Sequence, residues 1–171
     1  MRSNCRSIIL ALLLVLVTAS ADAASADAAA LSARITKLIA EVEKDVGDVP
    51  TQSVEALRNA NPSALILVDA RSRAERDVSL IAGAITLTEL EKLRPTPKAR
   101  VMVYCTIGLR SGHAVRALRA RGFDAFNLQG GVLAWLAAGG ALVDPQGQPT
   151  QRVHVYGRHW NAVPTSFDPV W

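Results

Sequence analysis

The stretch Val101-Met102-Val103-Tyr104-Cys105-Thr106-Ile107-Gly108-Leu109-Arg110-Ser111 decides the fold. Its first four residues are apolar or aromatic without alternation, which predicts a strand covered on both faces and so a parallel one. Gly108 breaks the run, and a helix beginning near Ser111 continues through Val115, Leu118 and Arg119 to Arg121, stopped by Gly122. Outward from this core the same alternation recurs. Upstream, Leu65 to Val68 reads as a buried strand ending in Asp69. Downstream, Ala125 to Leu128 reads as a strand, Gly130-Gly131 as a turn and Val132 to Ala138 as a helix, with Trp135 in the core.

Weaker signals fill the gaps. Thr51 or Ser53 can cap a short helix through Arg58, and residues 71 to 83 are charged and irregular. Ile85 to Leu87 suggests a brief strand and Leu90 to Leu93 a helical turn, broken by Pro95 and Pro97. The fold class is therefore α/β: an open, mainly parallel sheet with helices on both faces. Ligands of such folds bind beyond the carboxyl ends of the strands. Cys105 stands at such an end.

The chain ends carry other signals. Arg2 and Arg6 precede the apolar run Ile8 to Val17, and small residues follow from Thr18 to Ala24. This is the order of a secretory signal, with cleavage expected after Ala23. The run falls short of the roughly 20 residues that span a bilayer, so no stable membrane association is expected after cleavage. The expected location is periplasmic or secreted. Cys5 would leave with residues 1–23, making Cys105 the single thiol of the mature chain; in an oxidising compartment it then has no internal disulfide partner.

Residues 24–47 form a lead-in and an amphipathic helix. The lead-in is rich in Ala, Ser and Asp and is expected to be mobile. The helix carries the stripe Leu31, Ile35, Leu38, Ile39, Val42 and Val46 opposite Arg34, Lys37, Glu41 and Lys44, with Gly47 as its stop. Residues 48–144 hold the α/β domain. Residues 145–171 are a C-terminal extension in which Tyr156, Trp160, Phe167 and Trp171 predict packing back on the domain, for instance as an edge strand.

The net charge is +4. The basic excess is spread along the chain, with a local concentration at Arg110, Arg116, Arg119 and Arg121, which does not make a nucleic-acid surface. His154 and His159 have no Cys, Asp or Glu cluster at ligand spacing, so no metal site is expected.

A thiol reacts as its thiolate, and the segment after Cys105 is suited to hold negative sulfur. Gly108 permits backbone conformations that turn amides inward as an anion nest. The following helix directs its N-terminal dipole end at the loop, and Arg110 adds a fixed positive charge. Thiols in such surroundings ionise more readily than an ordinary cysteine, and Cys105 is expected to alkylate well below pH 8.

The run from Val103 to Trp135, V-Y-C-T-I-G-L-R-S-G-H-A-V-R-A-L-R-A-R-G-F-D-A-F-N-L-Q-G-G-V-L-A-W, resembles the active-site half of a rhodanese-like domain. Asp69 to Glu75 with Leu67-Val68 before it, and the pair Gly83-Ala84, resemble that family's upstream segments. The family resemblance implies a sulfurtransferase without cofactor. Cys105 is then the catalytic nucleophile, taking sulfane sulfur from thiosulfate or a persulfide and passing it to cyanide or a thiol. Thr106, Ile107, Gly108, Leu109, Arg110 and Ser111 would bind the substrate sulfur, while Asp69 and Arg71 support the loop. His113 falls on the helix in a surface or packing role.

Departures bear on the substrate. Ser79-Leu80-Ile81-Ala82-Gly83-Ala84 stands where the family commonly has Gly-His-Ile-Pro-Gly-Ala. Thr106, Ile107 and Leu109 make the loop apolar, which leaves the sulfur donor open. Related phosphatases and arsenate reductases space Cys and Arg by one more residue, so the shorter loop favours sulfur over phosphate. The competing function is a persulfide carrier or partner-binding module, with a protein thiol as partner and little turnover of small molecules.

Overall fold

Val101 and Val103 face one side of the central strand β4 (Arg100–Tyr104) and Met102 and Tyr104 the other, and two apolar cores form on those two sides. The computed structural model describes residues 4–96 and 99–171, with side-chain surroundings from Ser25 onward. Arg2 and Pro97 lie outside the described residues, as do the side-chain surroundings of Arg6 and of the run Ile8 to Val17.

Five parallel strands make the sheet, in the order β1-β5-β4-β2-β3. These are β1 (Thr51–Gln52), β2 (Ile66–Asp69), β3 (Ile85–Thr86), β4 and β5 (Asp124–Leu128). Val68 pairs with Val103, and Val103 with Asn127, so β4 has a partner on each side. The order changes direction at β4, and its carboxyl end is the topological switch point where parallel sheets open a crevice.

Each face is covered by helices. On the first lie α4 (Leu87–Leu93) and α5 (Leu109–Ala120), which contribute Leu90, Val115 and Leu118 to the core around Val68, Val101, Val103 and Ala125. On the second lie α1 (Asn4–Val46), α2 (Val54–Arg58) and α6 (Gly131–Ala137), joined there by the C-terminal residues. The α1 stripe is buried as its period predicts: Ile35, Leu38, Val42 and Val46 are each 5% exposed or less.

Several local expectations are corrected. The segment 25 to 30 is helical and continuous with α1; it is dominated by alanine, the strongest helix former, and contains neither Gly nor Pro. Residues 71 to 83 are not irregular throughout, since α3 (Arg73–Val78) lies within them. There the Ser72 hydroxyl accepts from the Glu75 amide while the Glu75 carboxylate accepts from the Ser72 amide. The helix after Cys105 begins at Leu109 rather than near Ser111. Gly131 opens α6 instead of belonging to a turn. Trp135 is half-buried, its indole N–H donating to the Ala141 carbonyl at 2.9 Å.

The C-terminal residues pack back on the domain, with Val153 and Val155 fully buried. They do not add an edge strand to the central sheet. Instead β8 (Arg152–His154) pairs with β9 (Asp168–Val170), and β6 (Leu142–Val143) pairs with β7 (Pro149–Thr150). Among the described residues no helix is long and apolar enough to cross a membrane.

Candidate active site

Three loops meet at the carboxyl end of the sheet, following β2, β4 and β5. The β4 loop starts at Cys105, which is 1% exposed. Gly108 takes φ 123°, a conformation costly to any residue with a Cβ, and turns the chain directly into α5. In that conformation its N–H donates to Cys105 Sγ at 3.2 Å. The Ser111 hydroxyl, on the first turn of α5, donates to the same sulfur at 3.4 Å. One amide, one hydroxyl and the N-terminal end of a helix thus surround the thiol.

The loop is clasped from behind by α6. The Val132 N–H donates to the Cys105 carbonyl at 2.9 Å, and the Leu133 N–H to the Thr106 carbonyl at 3.2 Å. These are amides that the first turn of a helix leaves free.

Arg110 faces a carboxylate that the sequence reading did not single out. Its Nη1 donates to Glu75 Oε2 at 2.6 Å and its Nη2 to Glu75 Oε1 at 2.7 Å. Thr106 Oγ1 accepts from Arg110 Nη2 at 3.0 Å and donates to Glu75 Oε1 at 3.1 Å. Glu75 is fully buried. Arg110 and Thr106 therefore brace the two ends of the loop against α3. The Glu75 bond, with the nearby Cys105 as a lesser contribution, pushes the Arg110 guanidinium further above its ordinary value. The Ser72-x-x-Glu75 spacing carried a signal for the carboxylate, but only as a helix start.

Asp69 and Arg71 form a second, fully internal brace. Arg71 Nη2 donates to Asp69 Oδ2 at 2.7 Å and to the Ser79 carbonyl at 2.6 Å. The Tyr104 hydroxyl donates to Asp69 Oδ2 at 2.7 Å and accepts from the Ile81 N–H at 3.0 Å. Burial, and then the Asp69 charge, push the Tyr104 hydroxyl up, so it remains a donor. This network holds the residue before Cys105 and does not touch the sulfur.

The remaining loop residues have packing roles. Ile107 is 4% exposed and belongs to the α1-side core, with Leu109 packed against it. The apolar character of the loop is thus spent on anchoring. His113 is exposed on α5. Tyr156, read from the sequence only as a packing residue, lies with its ring 4.9 Å from the Arg110 guanidinium and takes φ 70°. Further along the C-terminal residues, Arg34 donates to the His159 carbonyl at 3.3 Å, and His159 Nε2 lies 3.1 Å from Glu41 Oε2. The C-terminal residues and α1 are therefore tied together. A groove of about 1390 Å³ between α1, α6 and the C-terminal residues does not include Cys105.

A parallel α/β sheet that presents a clasped thiol at its switch point defines a class of cysteine-centred domains. Residues 51–138 match the rhodanese-like domain, and the chain belongs to that family. It is 35% identical over 107 residues to a sulfurtransferase of Allochromatium vinosum, covering 60% of this chain and 99% of that protein. It is 40% identical over 78 residues to a probable adenylyltransferase/sulfurtransferase of Mycobacterium tuberculosis, covering 42% of this chain but 20% of that protein. Among solved structures, thiosulfate sulfurtransferase from Pseudomonas aeruginosa shares the fold with a TM-score of 0.55 at 22% identity, over 67% of this chain and 24% of that one.

Proposed function

We propose that this protein is a sulfurtransferase that carries sulfane sulfur as a Cys105 persulfide. The observation that carries the proposal is the Cys105 sulfur itself, met by the Gly108 amide and the Ser111 hydroxyl at the N-terminal end of α5. In the first step the thiolate attacks the outer sulfur of thiosulfate or of a persulfide donor. The donor's S–S bond breaks and its electron pair leaves with sulfite or with the donor thiolate. In the second step cyanide or a thiolate attacks the outer sulfur, and the Cys105 side recovers its electron pair as thiolate. One difficult transfer becomes two displacements. The Gly108 and Ser111 donors, which meet Sγ, stabilise the thiolate that attacks in the first step and leaves in the second, as preorganised donors do at a developing charge.

Burial of Cys105 favours a second reading, a carrier that loads and unloads against a protein thiol. A thiol 1% exposed is reached only when its surroundings open, and a docking partner can drive such opening. One experiment separates the two. Mature protein is incubated with thiosulfate and, separately, with glutathione persulfide; its mass is read, and cyanide is then added. Gain of one sulfur followed by thiocyanate release supports the enzyme. Gain without release to cyanide supports the carrier. No gain from either donor, or an equal gain in Cys105→Ser, sinks both.

We also propose export by the N-terminal leader, with a periplasmic or secreted mature chain. Among the residues whose side-chain surroundings are described, the α1 stripe packed on the core begins at Leu31, and removal of residues 1–23 would leave those contacts whole. The mass of the natively produced protein tests this. It should correspond to a chain starting at Ala24, and a full-length chain in the cytoplasmic fraction would count against export.

A further inference from the structure

Asn127 lies on β5 next to the Cys105 loop and is 5% exposed. Its backbone belongs to the sheet, with its N–H donating to the Pro50 carbonyl at 2.8 Å. Its side chain does something else: Nδ2–H donates to the Gly108 carbonyl at 3.0 Å. That carbonyl also accepts the Gly112 N–H at 2.9 Å. Two donors, one from the neighbouring strand and one from the next turn of α5, thus converge on the Gly108 carbonyl and fix the Gly108–Leu109 peptide, one side of the glycine. Gly108 is the residue whose amide reaches the sulfur.

The cost of this arrangement is visible. A carbonyl can only accept, so the Asn127 NH2 must face Gly108 and Oδ1 must turn the other way. There it finds no partner among the described residues. Asn127 itself lines a cavity of about 360 Å³ between α1 and the loop, with Ile107, Val42 and Val46 among the other lining residues. An apolar residue would avoid this unpartnered buried acceptor, which is unfavourable for folding.

We propose that Asn127 is a positioning residue for the Cys105 thiolate that takes up and releases the sulfur, acting through Gly108 to hold the loop amide on Sγ. This rests on the persulfide reading of Cys105 given above. A flexible glycine at φ 123° has several peptide orientations of similar energy. By holding the peptide after Gly108, Asn127 limits the backbone rotation through which the peptide before it, with the amide that meets the sulfur, could turn away, and such a donor needs no rearrangement when charge develops.

The test is the rate of iodoacetamide alkylation of Cys105 from acid to alkaline pH, with sulfur loading measured on the same samples. Asn127→Asp keeps the shape and removes the donor. Asn127→Leu removes the amide without adding charge. In both, alkylation at neutral pH relative to the alkaline plateau should fall about fivefold, the scale of one net hydrogen bond. Loosened structure would act differently, raising the plateau by uncovering a buried thiol. An unchanged ratio in both variants, with or without a raised plateau, overturns the role of Asn127. Wild-type protein that loads no sulfur would sink the persulfide reading alone, and the alkylation ratio would still decide for or against Asn127.

Discussion

Replacing Glu75 with alanine is expected to lower the unfolding free energy by about 3–5 kcal/mol, the scale for removing one partner of a buried ion pair. The carboxylate is fully buried and receives both Arg110 nitrogens, the Thr106 hydroxyl, and the amide and hydroxyl of Ser72. Its loss leaves Thr106 without an acceptor and α3 without its capping partner. Arg110 is 32% exposed and can turn to water, which favours the lower end of the range. Urea denaturation measures the effect, and a change below about 1 kcal/mol would deny Glu75 a structural role.

The same carboxylate sets an acid limit. Burial alone would raise its pKa, but Arg110 and Ser72 outweigh burial and hold it at about 2, against an ordinary 4.5. A carboxyl lowered on folding contributes its full stabilisation above its unfolded value and loses it as pH falls through the folded one. The contribution is about 3 kcal/mol, lost between about pH 5 and pH 2. Glu75→Gln should therefore flatten the decline of stability across that window, and an unaltered decline would assign it to other groups.

Gly131→Ala is expected to damage the site from the opposite side. A Cβ at this position would lie 2.3 Å from the Cys105 carbonyl oxygen and 2.8 Å from that of Thr106, both backbone atoms, at φ 52°. Neither carbonyl can give way without losing its bond to Val132 or Leu133. The expected cost is about 2–4 kcal/mol, together with loss of most sulfur loading, because the loop is pushed off its clasp. Loading at the wild-type rate with unchanged stability would show that α6 does not hold the loop.

The strands β2, β4 and β5 were legible because burial leaves a mostly apolar run, as in Val101 to Tyr104, whereas β1 is two polar residues and its Thr51 read as a helix cap. The α1 stripe was legible because its period matches a helix. The short helix α3 was not, since it buries little beyond Glu75 and so has no stripe. Its cue was the Ser72–Glu75 box, whose second use, as anchor for Arg110, exists only in three dimensions. Cys105, Gly108 and Arg110 stood out by spacing, but spacing could not show that Arg110 turns to Glu75. Nor could it show that Asn127, an ordinary strand residue in the sequence, meets Gly108 across the sheet. The aromatic residues at the C-terminus announced packing without announcing a partner; β8 takes its hydrogen bonds from β9.

The pairing of β1 with β5 has a consequence for how the site comes into being. Thr51 sits beside Asn127, so the first strand of the sheet closes on the last. Parallel pairings between such distant segments form slowly, because the loop between them must be ordered before any contact rewards it. A chain emerging N-terminus first can bring β2, β3 and β4 together early. The clasp on Cys105 waits for α6, and the α1 cover waits for the face that α5 and α6 complete. Until then the thiol stands unshielded and open to irreversible oxidation. Cys105 is therefore most open to oxidation while the protein is being made, before the sheet closes over it.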